Sequence, residues 1–217
     1  MTAEPGRVPR IVLASASPAR LATLRAAGIE PEVRVAGVDE RGVTADTPAD
    51  LALVLAERKC RAVAAAVAAP ALVVGCDSVL ELDGRPYGKP ADSQEAVRRW
   101  RSMRGREGVL HTGHCLRLVD DGPETRERSA VASTTVRFAD LDDEEVDTYV
   151  ATGEPLAVAG AFTVDGLGGA YVRSIDGDPH NVVGISLPLL RDLAGELGIR
   201  WHRLWRAGTD TSPVSGA

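Results

Sequence analysis

Residues 71–78 read ALVVGCDS, an apolar run that stops at one acidic residue, Asp77. The run 71–75 predicts a buried strand that ends at Cys76 and Asp77. Functional residues of open α/β sheets tend to lie at the carboxyl ends of strands. Asp77 is therefore the first candidate for a functional carboxylate, able to hold Mg²⁺ or to orient a water molecule. The ordinary alternative is a capping or ion-paired aspartate.

The segments on either side of this strand predict an α/β fold. A short strand at 11–13 leads into a helix at 19–27, for which Ser17 is placed as N-cap and Pro18 as the first residue. Strands and helices alternate early and antiparallel hairpins dominate the middle, so we expect a mixed twisted sheet with flanking helices. The other predicted helices are 47–68, 96–103, 142–151 and 185–197, and the other strands are 79–82, 85–87, 109–119 and 130–138.

Composition limits the classes of partner. The 217 residues carry a net charge of −6, so the surface as a whole does not attract nucleic acid, and an anionic substrate needs a local basic cluster or a metal. Three cysteines without CxxC spacing argue against disulfides and a zinc site. We find no signal peptide, and the apolar run 63–75 is too short to span a membrane and is broken by Pro70. These features predict a cytoplasmic protein with one domain at 1–206 and a disordered tail at 207–217.

The turn at 15–20 is a candidate phosphate site. A helix N-terminus offers free backbone N–H groups and a partial positive charge. The hydroxyls of Ser15 and Ser17 and the guanidinium of Arg20 add further donors. Taken alone, such a turn is more often a plain N-cap with a surface arginine than a phosphate site.

Further charged candidates are two lysines and one acidic pair. Lys89 lies between a glycine and a proline, which fix the backbone around it, and Lys59 lies on the predicted helix 47–68. Either ammonium group is able to neutralise a phosphate, and either is also an ordinary solvated lysine. At most one of the adjacent carboxylates Asp39 and Glu40 is expected to face a site.

The order and spacing of these segments resemble the Maf family of nucleotide pyrophosphatases from residue 11 to about residue 193. The matching segments are LASASPAR (13–20), the pair at 39–40, GCDSV (75–79), GKP (88–90), GR (105–106), TG (112–113), Tyr149, GEP (153–155), AGAF (159–162) and GDPHNVVG (177–184). So many ordered matches make the resemblance specific.

The resemblance implies a two-lobed α/β fold, similar to the inosine triphosphate pyrophosphatases, with a cleft between the lobes. It implies hydrolysis of a nucleoside triphosphate to the monophosphate and pyrophosphate with a divalent cation (Mg²⁺, Mn²⁺ or Co²⁺), and a possible homodimer. By position, Asp77 matches the catalytic acidic residue, as general base or as metal ligand, and Glu40 matches an acidic residue of the cleft, assigned here to the metal. The positions that match phosphate contacts are Ser15, Arg20, Lys59 and Lys89.

The chain departs from the family pattern at four positions. Ala19 replaces the first of two arginines, Gly108 replaces a frequent histidine, and Val158 replaces a frequent lysine. Asp165 stands where members carry glutamine or glutamate. A carboxylate only accepts hydrogen bonds, which suits the N1–H and exocyclic amine of guanine. Asp165 therefore predicts a preference for guanine-like over pyrimidine nucleotides.

Two rival functions are compatible with the sequence. One is a thiol hydrolase that uses Cys76 with His111 or His180, although a cysteine in an apolar run is usually a core residue. The other is a nucleotide-binding regulator of cell division with little turnover, which the family's association with septum formation and the departures at Ala19 and Gly108 favour.

Overall fold

The computed structural model describes residues 9–40, 42–120, 122 and 126–205, so the predicted tail at 207–217 lies outside the described residues. The described residues form seven strands, six α-helices and four short 3₁₀ helices. The strands are β1 (Arg10–Leu13), β2 (Glu32–Val33), β3 (Ala71–Leu82), β4 (Arg85–Tyr87), β5 (Glu107–Val119), β6 (Arg126–Phe138) and β7 (Val172–Asp176). The α-helices are α1 (Pro18–Ala26), α2 (Pro48–Ala64), α3 (Ser93–Met103), α4 (Asp143–Ala151), α5 (Pro179–Val183) and α6 (Leu187–Glu196).

All seven strands belong to one mixed sheet with the order β2-β1-β3-β5-β6-β7, and β4 pairs with residues 80–82 at the C-terminal end of β3. Strand β1 runs parallel to β2 and β3. The pairs β3–β4, β3–β5, β5–β6 and β6–β7 are antiparallel. The prediction of a mixed sheet with flanking helices is confirmed.

The prediction that a strand ends at Asp77 is wrong, because β3 continues through Asp77 to Leu82. Strand β1 pairs only with residues 71–74 of β3, whereas β5 pairs with β3 from Ala71 to Glu81. Asp77 therefore lies in the middle of a long strand, just beyond the part that β1 covers. Helix boundaries also differ from the prediction: α2 ends at Ala64 and not at 68, α3 begins at Ser93 and not at 96, and α6 begins after its N-cap Ser186.

Close packing of α2 on the sheet places one side of the site. A Cβ atom on Gly75 would lie 2.5 Å from the carbonyl oxygen of Ala56 and 2.7 Å from the Cβ of Cys60, and one on Gly113 would lie 2.7 Å from the Cα of Leu53. Gly75 on β3 and Gly113 on the neighbouring strand β5 therefore let the helix backbone approach the sheet. Side chains two residues apart on a strand share a face, so Asp77 faces α2 together with Gly75.

Three hydrophobic clusters form the core of the described residues, and two of them lie on different parts of the sheet. One packs α6 and part of α1 against β1 and the first half of β3 and includes Leu13, Leu24 and Ile185. The other is centred on Trp100 of α3, which is fully buried and donates from Nε1 to the carbonyl oxygen of Ala161 at 2.7 Å. No helix in the described ranges is long and apolar enough to cross a membrane.

Candidate active site

The centre of the candidate site is a lysine held between two carboxylates. Lys59 Nζ lies 2.8 Å from Glu40 Oε1 and directly contacts Asp77 Oδ1. The side chains of Lys59 and Asp77 are only 16% and 12% exposed, whereas that of Glu40 is 51% exposed. Burial raises the pKa of the Asp77 carboxyl, and the charges of Lys59 and Arg20 partly oppose that rise. The structure thus brings together three residues that the sequence predicted from separate segments.

The turn before α1 has the predicted N-terminal geometry. The Ser17 hydroxyl accepts from the backbone N–H of Arg20 at 3.3 Å, and Pro18 begins the helix. The Ser15 hydroxyl accepts from the Ser17 N–H at 3.2 Å and from Arg20 Nη1 at 3.1 Å. Since both bonds use its lone pairs, the Ser15 O–H proton is the group that this side chain has left to donate.

The Arg20 side chain connects the turn to the sheet. Its guanidinium donates to the carbonyl oxygens of Gly184 at 2.7 Å and Cys76 at 2.9 Å, and to the hydroxyl of Ser78 at 3.0 Å. These bonds, with the one to Ser15, use most of its five N–H donors. Arg20 therefore fixes the turn against the two residues that flank Asp77, in addition to any phosphate contact.

A buried polar network behind Arg20 was missed by the sequence interpretation. Ser78 Oγ lies 2.9 Å from Thr112 Oγ1, which donates to the carbonyl oxygen of Asn181 at 3.2 Å. Asn181 is fully buried and donates from Nδ2 to the carbonyl oxygen of Leu110 at 3.1 Å. Both Thr112 and Asn181 lie in segments that resemble the family, but only the fold shows that they are partners.

His114 completes this network and was not a predicted site residue. Its Nδ1 donates to the carbonyl oxygen of Thr112 at 2.9 Å, and its Nε2 accepts from the backbone N–H of Ser186 at 2.8 Å. Burial, followed by the nearby charge of Arg20, lowers the pKa of His114 to about 4. The imidazole is therefore neutral at pH 7 and holds the chain segment that follows Gly184.

Lys89 and Asp165 lie on exposed loops. Within the described part of the chain, neither side chain has a hydrogen bond or ion pair to the group formed by Asp77, Lys59 and Glu40. The loop of Lys89 is held through the carbonyl oxygen of Gly88, which accepts from Arg99 Nη1 at 2.5 Å. Their substrate-binding roles stay predictions.

The donor set near Lys59 fits a hard divalent cation only in part. Among the described residues, no group of three or more histidine, cysteine or acidic side chains is arranged to hold a metal. Asp77 and Glu40 nevertheless converge on one ammonium nitrogen, so their oxygens are close enough to share a cation. Mg²⁺ is commonly bound by one or two carboxylates together with substrate phosphates and water. The two carboxylates fit that kind of site.

The geometry disfavours the thiol hydrolase. Cys76 is fully buried, and burial raises the pKa of its thiol to about 12. Both ring nitrogens of His111 are occupied, by Ser133 Oγ at 2.8 Å and by Glu81 Oε2 at 2.9 Å. His180 lies 3.3 Å from Asp178 through Nδ1. Cys76 is thus a core residue, and within the described ranges its thiol has no hydrogen bond to an imidazole.

The fold and site together define a mixed α/β protein with a carboxylate–lysine centre beside a helix N-terminus. The chain belongs to the family described as Maf-like protein, whose profile matches residues 10–197.

Two curated relatives have closely similar sequences over nearly their whole length, and both are named nucleoside triphosphate pyrophosphatase. The protein of Salinispora tropica is 59% identical over 212 residues, covering 95% of this chain and 92% of the relative. The protein of Streptomyces coelicolor is 57% identical over 211 residues, covering 97% and 100%. Among solved structures, a dITP/XTP pyrophosphatase from Mycobacterium abscessus aligns at 18% identity with a TM-score of 0.37, over 61% of this chain and 75% of that one.

Proposed function

We propose that this protein hydrolyses a nucleoside triphosphate to the monophosphate and pyrophosphate by attack of water at the α-phosphorus. The observation that carries the proposal is the Lys59 ammonium group between Asp77 and Glu40, next to the N-terminus of α1. The names of the relatives at 59% and 57% identity support the same reaction. The reaction needs little covalent chemistry from the protein, mainly positioning and charge stabilisation.

The cationic groups of the site act on the phosphates. A triphosphate carries close to four negative charges, and the protein itself carries −6, so local positive charge has to hold the substrate. The backbone N–H groups at the start of α1 and the hydroxyls of Ser15 and Ser17 supply donors. Lys59, Lys89 and the remaining donor of Arg20 supply charge. Arg20 also holds the turn before α1 against β3 through its hydrogen bonds to Cys76 and Ser78.

Asp77 and Glu40 are the residues that would hold a divalent cation, Mg²⁺, Mn²⁺ or Co²⁺. When bound, such a cation neutralises phosphate charge and makes a bound water more acidic. Asp77 itself is suited to accept a proton from water, because burial raises its pKa towards the range useful for a general base. Asp77 would serve either as this base or as a ligand of the cation.

The exposed carboxylate of Asp165 is the proposed contact to the base. It accepts hydrogen bonds only, so we expect GTP and 7-methyl-GTP to be preferred over UTP and dTTP. We further propose that the protein acts in the cytoplasm, without nucleic acid, and as a homodimer.

Hydrolysis in ¹⁸O-labelled water tests the reaction directly. The purified chain is incubated with each of the four nucleotides and Mg²⁺, Mn²⁺ or Co²⁺, and the products are identified by mass spectrometry. Attack at the α-phosphorus places one ¹⁸O in the monophosphate and none in the pyrophosphate. Label in pyrophosphate, or release of orthophosphate alone, contradicts the proposal. Tight nucleotide binding with no pyrophosphate released under any metal would instead favour the regulator.

A further inference from the structure

Residues 163–169, TVDGLGG, fold around one carboxylate, that of Glu154. Glu154 Oε1 accepts from Thr163 Oγ1 at 2.5 Å and from the backbone N–H of Gly168 at 3.0 Å. Its Oε2 accepts from the backbone N–H of Leu167 at 3.0 Å. The hydroxyl of Tyr149 donates to Oε1 at 2.9 Å and accepts from the Thr163 N–H at 3.3 Å. One side chain thus fixes the loop at both of its ends.

The glycines of this loop allow its close approach to Glu154. A Cβ atom on Gly166 would lie 2.6 Å from Glu154 Oε2. One on Gly168 would lie 2.8 Å from the carbonyl oxygen of Thr163 and 2.9 Å from Tyr149 Cζ. Real Cβ atoms do not approach other atoms so closely, so only glycine permits this wrapping at both positions.

The carboxylate is anchored from the core side as well. Tyr149 lies on α4 and is 2% exposed, packed within the cluster of Trp100. Partial burial of Glu154 disfavours its charge, but hydrogen bonds from Thr163, Gly168, Leu167 and Tyr149 outweigh that effect and lower its pKa to about 2. Glu154 is therefore ionised at any pH at which an enzyme of this kind is assayed.

Asp165 lies at the exposed tip of this loop, two residues after Thr163 and two before Leu167. Thr163 and Leu167 both donate hydrogen bonds to Glu154. We propose that Glu154 is the positioning residue of a base-selecting loop: its carboxylate sets where Asp165 stands and so determines discrimination between bases. The inference rests on the proposed function only in naming the base as the group that Asp165 contacts.

The substitution Glu154→Gln tests this role with nearly unchanged size. The amide keeps one acceptor but turns an NH₂ group towards donors from Thr163, Leu167 or Gly168, so donors face each other. We expect the ratio of kcat/KM for GTP to that for UTP to fall about 10-fold, the size of losing one to two good hydrogen bonds. The fall should come from a higher KM for GTP, with kcat for UTP within about 2-fold of the parent.

The matched control is Glu144→Gln, the same change at an exposed carboxylate of α4 outside the loop, for which the ratio should stay as in the parent. A second variant, Thr163→Val, removes only the hydroxyl bond to Glu154 and should shift the ratio in the same direction by a smaller factor. It keeps the test decisive if Glu154→Gln does not fold.

Amide hydrogen exchange separates failure of this inference from failure of the proposed function. In Glu154→Gln the Leu167 and Gly168 amides should exchange at least about 10-fold faster, whatever the reaction. Parent protein that hydrolyses no nucleotide ends the proposed function, while the exchange rates still report whether Glu154 holds the loop. Faster exchange with an unchanged GTP-to-UTP ratio, an equal loss for every nucleotide, or unchanged exchange in a folded variant each overturns the inference.

Discussion

The Asp77 centre and the Asp165 loop are built by different means. Asp77 lies inside a twelve-residue strand, covered by a helix that approaches the sheet over Gly75 and Gly113. Asp165 lies on an irregular loop that hydrogen bonds to Glu154 hold in place. Packing of regular elements fixes the first region, and one charged group fixes the second. Changes in the first region should therefore affect the rate with every nucleotide, and changes in the second should affect the choice among nucleotides.

Substitution of Asp77 gives the largest expected effect. Asp77→Asn keeps the shape but removes the negative charge that contacts Lys59, whether that charge serves as base or as metal ligand. We expect kcat to fall at least about 10²-fold, which corresponds to about 2.7 kcal/mol, by the same factor for GTP and UTP. Steady-state kinetics on both nucleotides measure this, with the exposed Asp147→Asn on α4 as control. A base-dependent loss would break the distinction between the two regions.

The sequence predicted the members of the Asp77 centre but not how they meet. The sequence marks Asp77 because the apolar run 71–76 ends just before it. In the structure this is close to the point where β1 stops pairing with β3, whereas β3 itself continues and stays paired with β5. The placement of Lys59 beside Asp77 depends on two glycines whose need appears only when α2 is laid on the sheet. Long-range packing of this kind leaves no local signal in the chain.

The loop was harder to interpret from sequence. Asp165 was found through its departure from the family pattern, and Glu154 only as part of a GEP segment. A carboxylate that binds backbone N–H groups more than ten residues away has no periodicity to reveal it. His114 was missed for a similar reason, since its acceptor role depends on Ser186, 72 residues further along the chain.

A single methyl group should disturb the packed region strongly. Gly113→Ala would place a Cβ atom against the backbone of α2, 2.7 Å from the Cα of Leu53, so helix and sheet have to separate. We expect a loss of about 2–3 kcal/mol in the free energy of unfolding. The same substitution at Gly195, a helical position with nothing within 4 Å, should instead stabilise by about 0.5 kcal/mol. Urea unfolding of both variants measures the difference, and equal stabilities would contradict close packing at Gly113.

Acid should affect the buried network behind the Asp77 centre first. The pKa of His114 is lowered to about 4 in the folded chain, against about 6.5 when unfolded, so the unfolded chain binds more protons between these values. Its contribution to stability is present above pH 6.5 and is lost as pH falls towards 4, with a slope of at most about 1.4 kcal/mol per pH unit. Thermal unfolding of His114→Gln between pH 4 and 7 should give a flatter curve than the parent. An identical slope in the two proteins would exclude His114 as the source of the loss of stability in acid.

The loop should respond to acid only at lower pH and with the smallest effect. The pKa of Glu154 is lowered to about 2 in the folded chain from an ordinary value of 4.5, so its contribution is present above pH 4.5 and is lost as pH falls towards 2. The carboxylate is partly exposed, so solvent screening reduces the effect. The difference in unfolding temperature between the parent and Glu154→Gln should therefore be constant from pH 7 to 5 and shrink below 4.5. A difference that shrinks already between pH 6.5 and 5 would mean that the Glu154 carboxyl takes up its proton there, which would contradict its lowered pKa, and the two regions would then respond to acid over the same pH range.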